Sequence, residues 1–169
     1  MTYTCSIETP LGTMTAAAED QALVGLWFVG QKHYPAATGS WVCEPDHPVF
    51  TALRRRLSGY FSGSEAAGGL ALAPQGSPFQ MAVWDALLRI PYGKTVTYGE
   101  IAREIALAAG LGSMSAQAVG GAVGRNPISI LIPCHRVLGS NKRLTGYAGG
   151  VDKKEALLRL EGAEWGSER

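Results

Sequence analysis

The sequence predicts an α+β fold built in two parts: a small antiparallel sheet with one helix, then a mainly helical region. Three observations predict it. Residues 3–28 alternate apolar and polar side chains in runs broken by turn residues, the period of half-buried strands. Beyond residue 77, apolar residues recur at helical spacing in separate stretches. Between the two regimes, residues 62–77 are rich in Gly, Ala, Ser and Pro and read as a linker, dividing the chain into 1–76 and 77–169.

Each element follows from local chemistry. In the first strand Tyr3, Cys5 and Ile7 alternate with polar neighbours, and Pro10-Leu11-Gly12 turns the chain. Residues 14–18 and 22–28 flank the polar Glu19-Asp20-Gln21 as a hairpin. Over residues 47–61, Val49, Phe50, Leu53, Leu57, Tyr60 and Phe61 fall at helical spacing, with Arg54-Arg55-Arg56 on the solvated face. The second part opens with Ser77 as a helix cap and Pro78 at the first helical position, followed by an apolar stripe of Phe79, Val83, Leu87 and Ile90. Pro91-Tyr92-Gly93 stops that helix. Thr97-Tyr98-Gly99-Glu100 has the spacing of a capping box, and Ile101, Ala102 and Ile105 continue a short helix. A glycine-containing connection over 109–113 leads to a third helix over 115–124, so the pair reads as a helix-turn-helix with a long turn.

That third helix carries an unusual face. Ala116, Val119 and Val123 form its apolar side, while Gln117, Gly120, Gly121 and Gly124 share another face at i, i+3, i+4 and i+7. Each glycine costs about 1 kcal/mol relative to alanine in a helix, so something must approach this backbone closely. Another helix of the same protein is one reading. A DNA groove, with Gln117 as the one long side chain, is the other.

Composition narrows the function classes. No apolar run is long enough to span a bilayer, and the N-terminal residues lack the basic and apolar segments of a secretory signal. The three cysteines (Cys5, Cys43, Cys134) are an odd number without a C-x-x-C pair, so reduced thiols in the cytoplasm are expected. Net charge is +1, but residues 89–159 hold ten Lys/Arg against four Asp/Glu, whereas residues before 77 hold four against six. An anionic partner is therefore sought in the second part.

Chemistry concentrates after the apolar Ile130-Leu131-Ile132, at Pro133-Cys134-His135-Arg136-Val137. Adjacent residues on a strand face opposite ways, so His135 serves Cys134 only if the backbone turns there. A thiol at its ordinary pKa of about 8.5 is mostly protonated near neutrality and needs a base, and the base needs an acid to orient it.

The run Ile132-Pro133-Cys134-His135-Arg136-Val137 resembles the active-site signature of the O6-alkylguanine-DNA alkyltransferase family, the methylated-DNA–protein-cysteine methyltransferases. The similarity continues in order through Pro91-Tyr92-Gly93, Val96-Thr97-Tyr98, Ala118-Val119-Gly120, Asn126-Pro127, Gly146-Tyr147-Ala148-Gly149-Gly150 and Leu157-Leu158-Arg159-Leu160-Glu161-Gly162, covering residues 77–162. The resemblance implies a ribonuclease H-like first domain with a structural role. The second domain would be a winged helix-turn-helix-like unit that binds DNA and accepts the alkyl group.

It also implies roles. Cys134 takes the alkyl group from O6-alkylguanine in double-stranded DNA, in one irreversible turnover. O4-alkylthymine is a further candidate lesion. His135 draws the thiol proton through a bound water, Glu161 orients the imidazole, Asn126 holds the turn around Cys134, and Arg136 ties the surroundings together. Tyr98 crowds the target's phosphate and donates a proton as guanine leaves. Pro133, Tyr147, Ala148, Gly149 and Val123 line the pocket for the flipped base. Thr97, Tyr98, Gln117, Ala118, Gly120, Gly121, Gly124 and Arg125 meet the DNA, through its minor groove.

The chain departs from the family's pattern at Gln117, where many members carry an arginine that fills the space of the flipped base. Weaker or more salt-sensitive DNA binding is expected, with Arg125 restoring some phosphate attraction. No cofactor is expected. Cys5, Cys43, His33 and His47 match no zinc-ligand spacing, so no metal is expected either. A monomer is expected, with cooperative assembly on DNA left open. Three competing readings remain. A lesion-binding relative without transfer activity would carry tryptophan in place of Cys134. A cysteine hydrolase or redox sensor would turn over repeatedly. A transcriptional regulator would need base-reading side chains on the third helix.

Overall fold

The alternation over residues 3–28 becomes three antiparallel strands, β1 (Tyr3–Thr9), β2 (Gly12–Glu19) and β3 (Ala22–Phe28), in a computed structural model that describes residues 1–64 and 69–166. Two short strands extend them, β4 (Val42–Cys43) beside β1 and β5 (Ala71–Leu72) beside β3, giving the order β4-β1-β2-β3-β5. Both additions run parallel to their neighbours, so the expected antiparallel sheet is mixed at its edges. The linker reading of 62–77 is corrected at Ala71–Leu72, which pair with Ala22 and Leu23, while Ala73 N–H donates to Leu23 O at 2.8 Å. Residues 65–68 of that stretch lie outside the described residues.

Helix α1 (Pro48–Phe61) covers this sheet. His47 caps it, its Nδ1 accepting from Val49 N–H at 3.1 Å, and Pro48 takes the first position, where a missing N–H costs nothing. Val49, Phe50, Leu53 and Leu57 are buried, each worth roughly 1.5–3 kcal/mol. Arg54 and Arg55 are exposed. Gly25 is required where it stands: the Trp27 indole lies over it, and a Cβ there would sit 1.9 Å from the ring.

The structure divides into two compact units, residues 1–75 with 127–129, and residues 76–126 with 130 onward. A division at 76/77 does not contain the excursion of Pro127–Ser129, which joins the edge of β3. Leu26 N–H donates to Pro127 O at 2.8 Å, Ser129 N–H donates to Leu26 O at 2.9 Å, and Ile128 is fully buried. Three residues carry no local strand signal, so only the tertiary pairing reveals them.

In the second unit, α2 (Pro78–Leu88) starts with a complete capping box between Ser77 and Gln80. At the start of α3 (Tyr98–Ala108) the hydroxyl half of the expected box forms, Thr97 Oγ accepting from Glu100 N–H at 3.2 Å. Helix α4 (Ala116–Gly124) is capped by Ser115 and buries Val119, Ala122 and Val123 against α2 and α3. Ala116, expected on the apolar side, is exposed, and Ala122 takes its place. Trp84 on α2 is buried and its Nε1–H donates to Ala122 O at 2.9 Å, fixing α4 along its axis. A parallel pair, β6 (Val96–Thr97) with β7 (Val137–Leu138), and α5 (Val151–Leu160) complete the unit. Among the described residues, no helix is long and apolar enough to cross a membrane.

Candidate active site

The backbone does turn at Cys134. Pro133, at φ −79° and ψ 66°, closes an inverse γ-turn in which Cys134 N–H donates to Ile132 O at 2.7 Å. Cys134–Arg136 then form a 3-10 turn, so Cys134 and His135 are not on opposite faces of a strand. Asn126 is buried and its Nδ2 donates to Ile132 O at 2.7 Å, pinning the segment just before the thiol. Ile130 is held at φ +72°, a conformation β-branched residues avoid and which costs of order 1–3 kcal/mol.

His135 is fully buried, and its Nε2 lies 2.6 Å from Glu161 Oε2. Glu161 is a hub. Its Oε1 accepts from Gly93 N–H at 3.0 Å and Arg136 Nε at 2.8 Å, and its Oε2 also accepts from Arg136 Nη2 at 3.1 Å. Arg136 reaches further, its Nη1 donating to Ile90 O at 2.7 Å. Gly93, at φ +78°, must be glycine here, since a Cβ would sit 3.0 Å from Glu161 O. Thus Pro91-Tyr92-Gly93 both ends α2 and supplies a donor to the acid.

Burial sets the protonation states. It pushes the Cys134 thiol above its ordinary value, against hydrogen bonds from the Asn126 and Tyr147 side chains and the charge of Lys154, which favour the thiolate. Burial also lowers His135, although Glu161 pulls the other way, so the resting imidazole is a neutral base. Burial raises Tyr98, keeping its phenol protonated.

Lys154 is the residue that sequence reasoning missed. It is fully buried, its Nζ donates to Gly146 O at 3.3 Å and lies 6.0 Å from the Tyr98 ring centre, and burial lowers its pKa to about 8. The available signal was its position: Lys154, Leu157, Leu158 and Glu161 share one face of α5, and a lysine on that face has no solvent to reach.

The structure therefore brings Cys134, Asn126, Tyr98, Tyr147 and Lys154 together, with His135 and Glu161 behind. Ala148 and Gly149 are half-buried in the same loop as Tyr147, whereas Pro133 and Val123 are packed inside. Gln117, Ala118 and Gly121 on α4 and Arg125 at its C-cap form a separate, exposed set. A Cβ at Gly120 would lie 3.7 Å from the Tyr98 ring, an ordinary contact, and one at Gly121 or Gly124 would meet nothing within 4 Å. Tyr98 of α3 thus faces Gly120 at an ordinary distance, and among the described residues no neighbouring helix explains Gly121 or Gly124. Among the described residues, Cys5, Cys43, His33 and His47 gather no three-ligand cluster.

This geometry can be set against known proteins. The family description "6-O-methylguanine DNA methyltransferase, DNA binding domain" matches residues 78–163, and its ribonuclease-like domain matches residues 1–74. A methylated-DNA–protein-cysteine methyltransferase of Methanosarcina acetivorans is 43% identical over 161 residues, covering 95% of this chain and 99% of that protein. One from Mycolicibacterium paratuberculosis is 44% identical over 156 residues, covering 92% and 90%. Among solved structures, the Mycobacterium tuberculosis O6-methylguanine methyltransferase superposes with a TM-score of 0.83 at 39% identity, covering 99% of this chain and 97% of that one. The same organism's OGT in complex with DNA also gives 0.83, at 40% identity over 95% and 92%. With both family domains matched in order, 43% identity over 95% of its length and a shared fold, the chain belongs to the methylated-DNA–protein-cysteine methyltransferase family.

Proposed function

We propose that this protein repairs DNA directly, moving the alkyl group of O6-alkylguanine onto Cys134 in a single turnover. The observation that carries the reading is the buried His135–Glu161 pair behind a cysteine set on a 3-10 turn, a nucleophile–base–acid arrangement. Glu161 engages Nε2, so Nδ1 receives the Cys134 proton through an intervening water. Lys154, Asn126 and Tyr147 then stabilise the thiolate. The sulfur attacks the alkyl carbon, the S–C bond forms as the C–O6 bond breaks, and the electron pair passes to the departing guanine. Tyr98 gives that base a proton, because a neutral guanine leaves better than an anion. The thioether cannot be hydrolysed, so the acceptor is consumed.

The target base must leave the stack to reach a thiol that is only 5% exposed. The open glycine face of α4 suits close approach to the minor groove of double-stranded DNA, with Gln117 filling the space of the flipped base and Arg125 and Thr97 toward the backbone. Tyr147, Ala148 and Gly149 receive the base beside Pro133 and Val123. The protein acts as a monomer in the cytoplasm, where its three cysteines stay free.

The test is intact-protein mass after incubation with a duplex carrying one O6-methylguanine, with Cys134→Ala as control. A gain of one methyl group, mapped to Cys134 and absent in the control, is expected. Tight lesion binding with no mass gain would refute the transfer step.

A further inference from the structure

The first unit holds a groove of about 680 Å³ between β1 and α1, lined by Ile7, Arg54, Leu57, Phe61 and the backbone of residues 6–10. Its upper rim is an open strand edge. Val42 N–H donates to Thr2 O and Glu44 N–H to Thr4 O, so the even-numbered residues of β1 point their peptide groups towards β4. Strand β4 ends at Cys43, opposite Thr4. Ser6 and Glu8 keep the same parity, and their N–H and C=O groups face outward with no backbone partner among the described residues.

The lower rim supplies chemistry. Helix α1 runs alongside β1: the His47 ring lies 5.0 Å from Tyr3, and Arg54 Nη2 lies 3.8 Å from Cys5 Sγ. Arg54 therefore marks the Ser6 end of the groove, and Phe61, about two helical turns on, marks the Pro10 end. Arg54 forms no ion pair among the described residues, whereas the Glu8 carboxylate is engaged by the Thr13 hydroxyl.

We propose that this groove binds an extended acidic peptide of a partner protein, which adds a strand to β1 where β4 leaves off. Its backbone pairs with Ser6 and Glu8, an acidic side chain meets Arg54, and apolar side chains at alternate positions settle on Leu57 and Phe61. Charge selects the occupant, since a basic peptide would place a second cation against Arg54.

The experiment is an amide NMR titration of the full chain with acetyl-Glu-Thr-Val-Thr-Leu-amide and with the same residues in reverse order. Lys-for-Glu and central-Pro versions serve as comparisons. Saturable shifts of the Ser6 and Glu8 amides are expected for one chain order. The Lys version should bind at least about fivefold weaker and the Pro version not at all. Arg54→Gln should erase the Glu-over-Lys preference while leaving alkyl transfer unchanged. No saturable shift up to about 2 mM in either order, equal binding of the Glu and Lys versions, or shifts centred elsewhere would overturn the proposal. Protein-concentration-dependent shifts of Ser6 and Glu8 without peptide would also overturn it, assigning the edge to a second copy.

Discussion

Replacing Glu161 by glutamine tests the site at its hub. The carboxylate accepts four hydrogen bonds, from the His135 ring, Gly93 N–H and two Arg136 nitrogens, and its side chain is fully buried. An amide keeps one accepting oxygen and presents an NH2 group on the other side, where it meets donors whichever way it is turned. The Arg136 guanidinium, with its side chain 11% exposed, loses its counter-charge. Breaking a buried ion pair from one side costs about 3–5 kcal/mol. At roughly 2–4 °C per kcal/mol for a chain of this size, Glu161→Gln should lower the melting temperature by about 6–20 °C. The assay is thermal unfolding of Glu161→Gln, Arg136→Met and the double variant. Removing both charges leaves no unpaired ion, so the double variant should lose at least about 2 kcal/mol less than the two single losses combined. A melting point within about 2 °C of the parent, or strictly additive losses, would refute the hub argument.

Three further outcomes follow from the geometry. Lys154 has a folded pKa of about 8 against 10.5 unfolded, so the folded protein is penalised while the lysine is charged and recovers as pH rises from 8 to 10.5. Lys154→Met should therefore be more stable by on the order of 3 kcal/mol at pH 7, with the advantage gone by pH 10.5 in urea titrations, yet transfer the alkyl group at least about tenfold more slowly. A variant that is no more stable, or equally fast, would contradict this. Gly121→Ala should raise the unfolding free energy by about 0.5–1 kcal/mol, because its Cβ meets nothing, while weakening binding to a lesion duplex. Gln117→Arg should tighten that binding and steepen its salt dependence by about one phosphate contact, read from affinities at several salt concentrations.

The fold class was legible because its main elements announce themselves locally. Ser77-Pro78 and the stripe through Val83 and Leu87 define α2 with no knowledge of the rest of the chain. The alternation through Cys5 and Ile7 does the same for β1. What stayed hidden is pairing between distant short segments. Val42–Cys43, Ala71–Leu72 and Pro127–Ser129 are too short to carry a period, and become strand-like only when β1 and β3 offer them an edge. In the site, Cys134, His135 and Glu161 could be picked out from motifs, but the Pro133 γ-turn and the Glu161 fan of hydrogen bonds are tertiary facts. Lys154 escaped because a lysine on an amphipathic helix is ordinarily solvated, and its place on the face of Leu157 and Leu158 was the one local sign that this one is buried.

The indole of Trp84, bonded to the Ala122 carbonyl, gives the protein an optical gauge. Any event that lifts α4 from α2 must break that bond and admit water to the ring. The emission of Trp84 then shifts to the red. Trp27, Trp41 and Trp165 lie on other elements, so keeping Trp84 as the only tryptophan would turn seating of α4 into a signal readable within one turnover.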